Sequence, residues 1–115
     1  MNPDLKSFLD SRLPFPGLVG WSGRAADRAL SSGTFAEGFT AAKLEQVLTP
    51  LALAAESLRS QGINPVHLCW VFQEIRLYFA LRPDGACLAL FVQNRSDVPP
   101  GSVERLLAEY IQLQE

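Results

Sequence analysis

The sequence predicts an α/β sandwich: one five-stranded antiparallel sheet with helices on both faces. Three observations lead there. The elements read in the order helix, two strands, helix, three strands, helix. Residues 77–81 (LYFAL) and 88–92 (LALFV) are apolar throughout, whereas a strand with one wet face would alternate. Residues 44–58 carry leucines and alanines at helical spacing over several turns, which makes a long amphipathic helix.

The totals set the frame. A chain of 115 residues, 48% of them hydrophobic, suits one domain with one packed core, here residues 1–115. Charged residues make up 19%, below the usual ~25%, which hints that a partner covers part of the surface. The net charge is −2, and the ten Lys and Arg residues are spread from Lys6 to Arg105. That distribution lacks the basic footprint of a nucleic-acid binder and does not favour an anionic membrane surface. No apolar run approaches the ~20 residues that span a bilayer, and residues 1–6 lack a signal-like apolar core. Cys69 and Cys87 both lie in apolar strand-like runs, where buried free thiols are expected. Two cysteines make no disulfide framework, so a reducing cytoplasm is the expected compartment.

Each element has a local reason. Asn2 caps and Pro3 starts a short helix carrying Leu5, Phe8, Leu9 and Leu13, which ends at Pro14. Residues 18–24 and 28–32 are expected to pair as strands around a turn at 25–27, followed by a loop through Phe39. Thr40 caps the long helix, with Phe39 and Leu44 as its hydrophobic staple. Leu44, Val47, Leu48, Leu51, Ala55 and Leu58 form the expected core stripe. Pro50 either kinks this helix or starts a new one capped by Thr49. Gly62 ends it, and Asn64 and Pro65 break the chain. Three strands follow, at 66–73, 76–82 and 86–93, the last two joined by the turn residues Pro83, Asp84 and Gly85. Ser102 is expected to cap a last helix bearing Val103, Leu106, Leu107, Tyr110 and Leu113. The long helix takes one face of the sheet and the two terminal helices share the other.

Catalytic chemistry finds little to work with. His67 is the only histidine, so any Ser-His-Asp or Cys-His site would have to use it. Cys69 lies two residues away and shares its strand face. A nucleophile–base pair or half a metal site is conceivable there, but the simpler reading is a pair of strand residues at an interface. A zinc site wants about four ligands, and the other cysteine is on another strand. Gly17, Gly20 and Gly23 match neither a phosphate loop nor a dinucleotide fingerprint. Asp4, Asp10, Glu104 and Glu109 read as solvated helix faces, without the burial that tunes a general acid or base. No cofactor and no metal are expected. Trp21, Phe35, Phe39, Trp70 and Phe72 are core or interface aromatics, because buried Trp and Tyr dominate many interfaces. Leu53 falls off the core stripe among Gln46, Pro50, Ala54 and Ser57. Those five residues, with His67, Cys69 and Trp70 on the next strand, form the candidate dimer and partner interface.

This pattern resembles the roadblock/LC7 family, including its bacterial members. The matching stretches are 16–20 (PGLVG) opening the first strand, the long helix from Leu44 to Gly62, and 76–92 (RLYFALRPDGACLALFV) as the last hairpin. The likeness covers about residues 13–109. Two features depart from the family pattern. Ala25, Ala26 and Asp27 stand where members commonly carry an Asp turn with glycine, and Trp21 and Gly23 stand where small aliphatics are usual. The resemblance implies a non-enzymatic homodimer. Its protomers would join central helices and the strand after them into one continuous sheet. It further implies regulation or scaffolding of a Ras-like small GTPase, as in bacterial members encoded with a GTPase of the gliding-polarity type. Two other classes stay open: a small-ligand-sensing domain of PAS-like or profilin-like layout, with a pocket under Phe35 and Phe39, and a secretion-type chaperone.

Overall fold

Strands that are apolar on both faces belong in the middle of a sheet covered from both sides, and that is where they lie. The computed structural model describes residues 5–10, 17–35, 38–63, 67–82, 84–93 and 101–112. Its strands are β1 (Leu18–Arg24), β2 (Leu30–Thr34), β3 (His67–Val71), β4 (Ile75–Leu81) and β5 (Cys87–Gln93). Its helices are α1 (Leu5–Asp10), α2 (Ala41–Ser60) and α3 (Ser102–Ile111). The sheet order is β2-β1-β5-β4-β3 and every pairing is antiparallel. The predicted fold class is therefore the observed one.

Alternation in β5 divides the core in two. Cys87, Ala89 and Phe91 face α2, packing with Leu44, Leu48, Ala52 and Ala55. Leu88, Leu90 and Val92 face the other way, toward Phe8 and Leu9 of α1 and Val103, Leu106, Leu107 and Tyr110 of α3. The rings of Phe8 and Tyr110 stand 6.3 Å apart, joining the two terminal helices over one face. Each fully buried Leu or Phe contributes roughly 1.5–3 kcal/mol relative to exposure.

The caps of α2 follow the sequence. Thr40 Oγ1 accepts from the Lys43 amide at 3.2 Å. Phe39 and Leu44 belong to the same apolar cluster, as a staple requires. At the other end the Gly62 amide donates to Arg59 and the Ile63 amide to Leu58, the paired bonds of a Schellman motif. Pro50 lies inside one continuous helix, and the alternative of a fresh start at Thr49 does not occur. Thr49 Oγ1 donates to the Glu45 carbonyl at 3.3 Å instead of capping.

Several expectations need correction. β2 begins at Leu30, two residues later than expected. Asp27 Oδ1 accepts from the Ala29 amide, Ala25 bonds to Ala29, and Arg28 takes φ 77°, so 25–29 forms a wider turn. Val47 is 40% exposed, while Ala52 is fully buried in its place. α3 starts behind Gly101 rather than a Ser102 cap. Cys87 is buried as expected, but Cys69 is exposed. Asn2, Pro3, Leu13, Pro14, Asn64, Pro65, Val66, Pro83 and Leu113 lie outside the described residues.

Two glycines set the approach of the layers. The β1–β5 register shifts between Leu18 and Gly20, a bulge in β1. A Cβ at Gly20 would stand 2.8 Å from both Leu44 Cδ1 and the Gly33 carbonyl, so any side chain there would lift α2 off the sheet. A Cβ at Gly33 would run into the Trp21 indole, which lies across β2 from the other side.

Candidate protein–protein interface

α2 uses its charges within the protomer. Glu45 Oε2 accepts from the Ser32 hydroxyl at 2.8 Å. Glu56 Oε1 accepts from Arg24 Nη2 at 2.7 Å, and the same nitrogen donates to the Gly85 carbonyl at 2.9 Å. Arg59 Nη2 donates to the Arg82 carbonyl at 2.8 Å. The Arg24–Glu56 pair is largely shielded from solvent, so breaking one partner costs more there than at an exposed pair. These bonds tie one flank of α2 to β1, β2 and the β4–β5 turn.

What remains exposed on α2 is nearly free of charge. Gln46, Val47, Thr49, Pro50, Leu53, Ala54 and Ser57 are all exposed, with Leu53 at 61%. Lys43 is the one charged residue among the exposed positions of this helix, and its Nζ donates to the Gly38 carbonyl at 3.1 Å. The exposed face of α3 carries Arg105 and Glu109, as a solvated helix does. Depletion of charge with retained apolar side chains marks the centre of protein interfaces.

Beyond the part of the sheet that α2 covers, the described strands end at β3. β3 pairs with β4 from His67–Ala80 to Val71–Arg76, and no described strand pairs with its other side. Trp70 and Leu68 are half-buried against the α2-side core, and the Trp70 ring meets Phe79 edge-on at 6.4 Å. Cys69 lies on the opposite strand face. Partial burial raises its thiol, and Arg76 pulls the other way. Val71 and Phe72 are 65% and 56% exposed. Between α2 and the β3–β4 hairpin runs a groove of about 490 Å³ walled by Val47, Leu51, Phe72, Ile75 and Phe91.

Gln46, Pro50, Leu53, Ala54 and Ser57 lie exposed on α2, Trp70 is half-buried on the α2-side face of β3, and Cys69 is exposed on the opposite face of that strand, so Cys69 does not join the others on one face. His67 is on β3 beside them, and its side chain lies outside the described atoms. Val47 and Phe72 wall the groove and Val71 is exposed at the end of β3; of these, the sequence marks Phe72 as a core or interface aromatic and Val47 as a core residue, and it does not single out Val71. For Val71 the signal was present: a β-branched residue at the end of an apolar strand. Phe39 also lines the groove, and Phe35 does not. Among the described residues, no group of three or more His, Cys, Asp or Glu side chains could hold a metal ion. No described helix is long and apolar enough to cross a membrane.

Comparison with known proteins speaks to the architecture. No protein-family model matches the sequence, and no curated protein does. Among solved structures the chain is similar to MglB of Myxococcus xanthus, with a TM-score of 0.60 and 13% identity over 82% of this chain and 80% of that one. It is also similar to a Roadblock/LC7 domain from Streptomyces avermitilis, with a TM-score of 0.58 and 16% identity over 91% of this chain and 87% of that one. At such identities the likeness is one of fold. The protein has the roadblock/LC7 fold.

Proposed function

We propose that this chain is a non-enzymatic, roadblock-type interaction domain that forms a homodimer and binds a Ras-like small GTPase, as regulator or scaffold. The observation that carries the reading is the charge-poor exposed face of α2 lying beside an apolar, singly paired β3. A helix face of this kind is costly to leave in water and needs no desolvation of charge to be covered. The roadblock/LC7 fold supports the GTPase as partner class, by analogy of fold. In this reading Gln46, Pro50, Leu53, Ala54, Ser57, His67, Cys69 and Trp70 contribute contacts and no bond chemistry. Its two free cysteines suit a reducing cytoplasm.

Two measurements test it. Light scattering at micromolar concentration is expected to give twice the 12.6 kDa chain mass. Calorimetric titration with a Ras-like GTPase of the gliding-polarity type is expected to show binding that depends on the bound nucleotide. A monomer in the first experiment removes the dimer, and equal absence of binding in both nucleotide states removes the GTPase.

A further inference from the structure

We infer that Arg28 is a binding residue: its guanidinium, carried at a turn position that favours glycine, takes a carboxylate on the surface of the protein partner, beside the exposed Leu30 and Leu53. The inference rests on the GTPase reading above and names a contact that would recognise that partner.

The turn between β1 and β2 does not call for an arginine. The Arg28 amide donates to the Ala25 carbonyl at 2.9 Å, and the Ala25 amide donates to the Ala29 carbonyl at 2.9 Å. These bonds make a three-residue hairpin loop, a tight turn followed by one residue in the left-handed region, where glycine is the ordinary occupant. Arg28 is that residue, with φ 77°, and among the described residues no other non-glycine has a positive φ. A side chain there brings Cβ against the following carbonyl oxygen, so the turn is less stable than it would be with glycine.

The guanidinium returns little of that loss within the protomer. Its one described ion pair is with Glu56 Oε1 at 3.8 Å, and 69% of the side chain is exposed. An exposed pair at that distance contributes little. The same oxygen already accepts from Arg24 Nη2 at 2.7 Å, so one carboxylate is shared by two guanidiniums. The neighbouring Asp27 carboxylate turns to the Ala29 amide and makes no described ion pair with either arginine. A strained residue without a structural return points to a role outside the fold.

The surroundings define what the role is. Leu30 is the cross-strand partner of Arg24, and such partners share a sheet face, so Leu30 stands on the α2 side next to the Arg24–Glu56 pair. Leu53 precedes Glu56 by three residues and adjoins it on the helix surface. Leu30 is 47% exposed and Leu53 is 61% exposed. Apolar side chains around an arginine with an open donor fork have the composition of a protein interface. A carboxylate fits the fork with two parallel hydrogen bonds, and its single charge matches the one that Glu56 leaves unbalanced. The bonds across the turn hold its backbone in place, so the contact forms without ordering a loop. β2 and β3 are opposite ends of the described sheet, so this contact stays open when two copies associate through β3.

Arg28→Gly separates binding from folding, because glycine relaxes the turn and removes the fork. Its thermal midpoint is expected to rise by about 3 °C or more. Calorimetric titration with a Ras-like GTPase of the gliding-polarity type is expected to show affinity about tenfold or more below that of the parent chain. Arg28→Lys keeps the charge without the fork, and a smaller loss of about threefold is expected. Light scattering is expected to give both variants the parent's mass. An Arg28→Gly chain that binds the GTPase within about twofold of the parent overturns the inference and leaves the GTPase reading standing. An Arg28→Gly chain whose thermal midpoint falls also overturns it, since Arg28 would then serve the fold. A parent chain that binds the GTPase in neither nucleotide state ends the GTPase reading, and this inference with it.

Discussion

The sheet has two edges, and the protein treats them in opposite ways. β2 is short and polar. The Trp21 indole lies over its Gly33. Its Ser32 hydroxyl donates to Glu45 and lies 3.1 Å from the hydroxyl of Ser22, the buried polar residue of β1. β3, at the far side, is apolar, lies beyond the part of the sheet that α2 covers, and ends in the exposed Val71. Edge strands invite pairing, and proteins usually blunt them with polarity, brevity or a cover. β2 has all three. β3 has neither polarity nor full cover, which is what an edge retained for association looks like.

The strongest challenge to this contrast is Trp21→Ala. It removes a core side chain and the cover of β2 together, and a loss of about 3–5 kcal/mol in urea denaturation is expected. A loss under about 1 kcal/mol would mean that the indole does not close that edge.

The two cysteines extend the contrast from the edge to the centre of the sheet. Burial pushes the Cys87 thiol from 9.0 up to about 11. A raised acid favours the protonated thiol in the folded state. Its stabilising contribution is therefore complete below pH 9 and is lost as pH climbs toward 11, because the unfolded chain ionises first. A fall on the order of 2 kcal/mol across that window is expected, and Cys87→Ala is expected to flatten it. Burial raises Tyr110 in the same direction, so its loss adds at still higher pH. Cys69 is the counterpart on the edge: a thiol-reactive dye is expected to label it in the native protein, more slowly at concentrations where the dimer forms. Cys87 is expected to react only on unfolding. Equal rates for the two thiols would erase the distinction.

Two smaller changes compare the edges directly. Val71→Lys on β3 is expected to weaken dimerisation by about tenfold while shifting folding stability by no more than about 0.5 kcal/mol, and Thr34→Lys on β2 is expected to change neither. Equal effects on sedimentation would show that β3 is no more associative than β2. Ser32→Ala is expected to cost about 1 kcal/mol by thermal denaturation, the value of one hydrogen bond to a charged group partly screened by solvent.

The neighbours in the chain were enough to foretell much of this. Thr40, Phe39 and Leu44 announced the start of α2, Gly62 its end, and Asp84 and Gly85 the last hairpin, because caps and turns depend on residues within one turn of each other. The two-sided apolarity of 77–81 and 88–92 announced a sheet covered on both faces. Leu53 stood out as a leucine off the stripe, and it is exposed. The errors share one cause. Val47 and Ala52 are both compatible with the apolar arc of α2, and the choice between them was made by Glu45 and Glu56, whose partners Ser32 and Arg24 lie on other strands. Likewise β2 starts two residues late because Asp27 bonds to Ala29, and Cys69 is exposed because β3 falls at the edge of the sheet.

The amino-acid sequence by itself thus determined the identity and order of the elements and their apolar faces, since periodicity, capping and turn chemistry act over a few residues. Strand order, the sideways seat of α2 and the groove left over β3 and β4 were decided only in the tertiary structure. These depend on contacts between residues far apart in the chain, Arg24 with Glu56 and Trp21 with Gly33 among them, whose geometry no local pattern encodes.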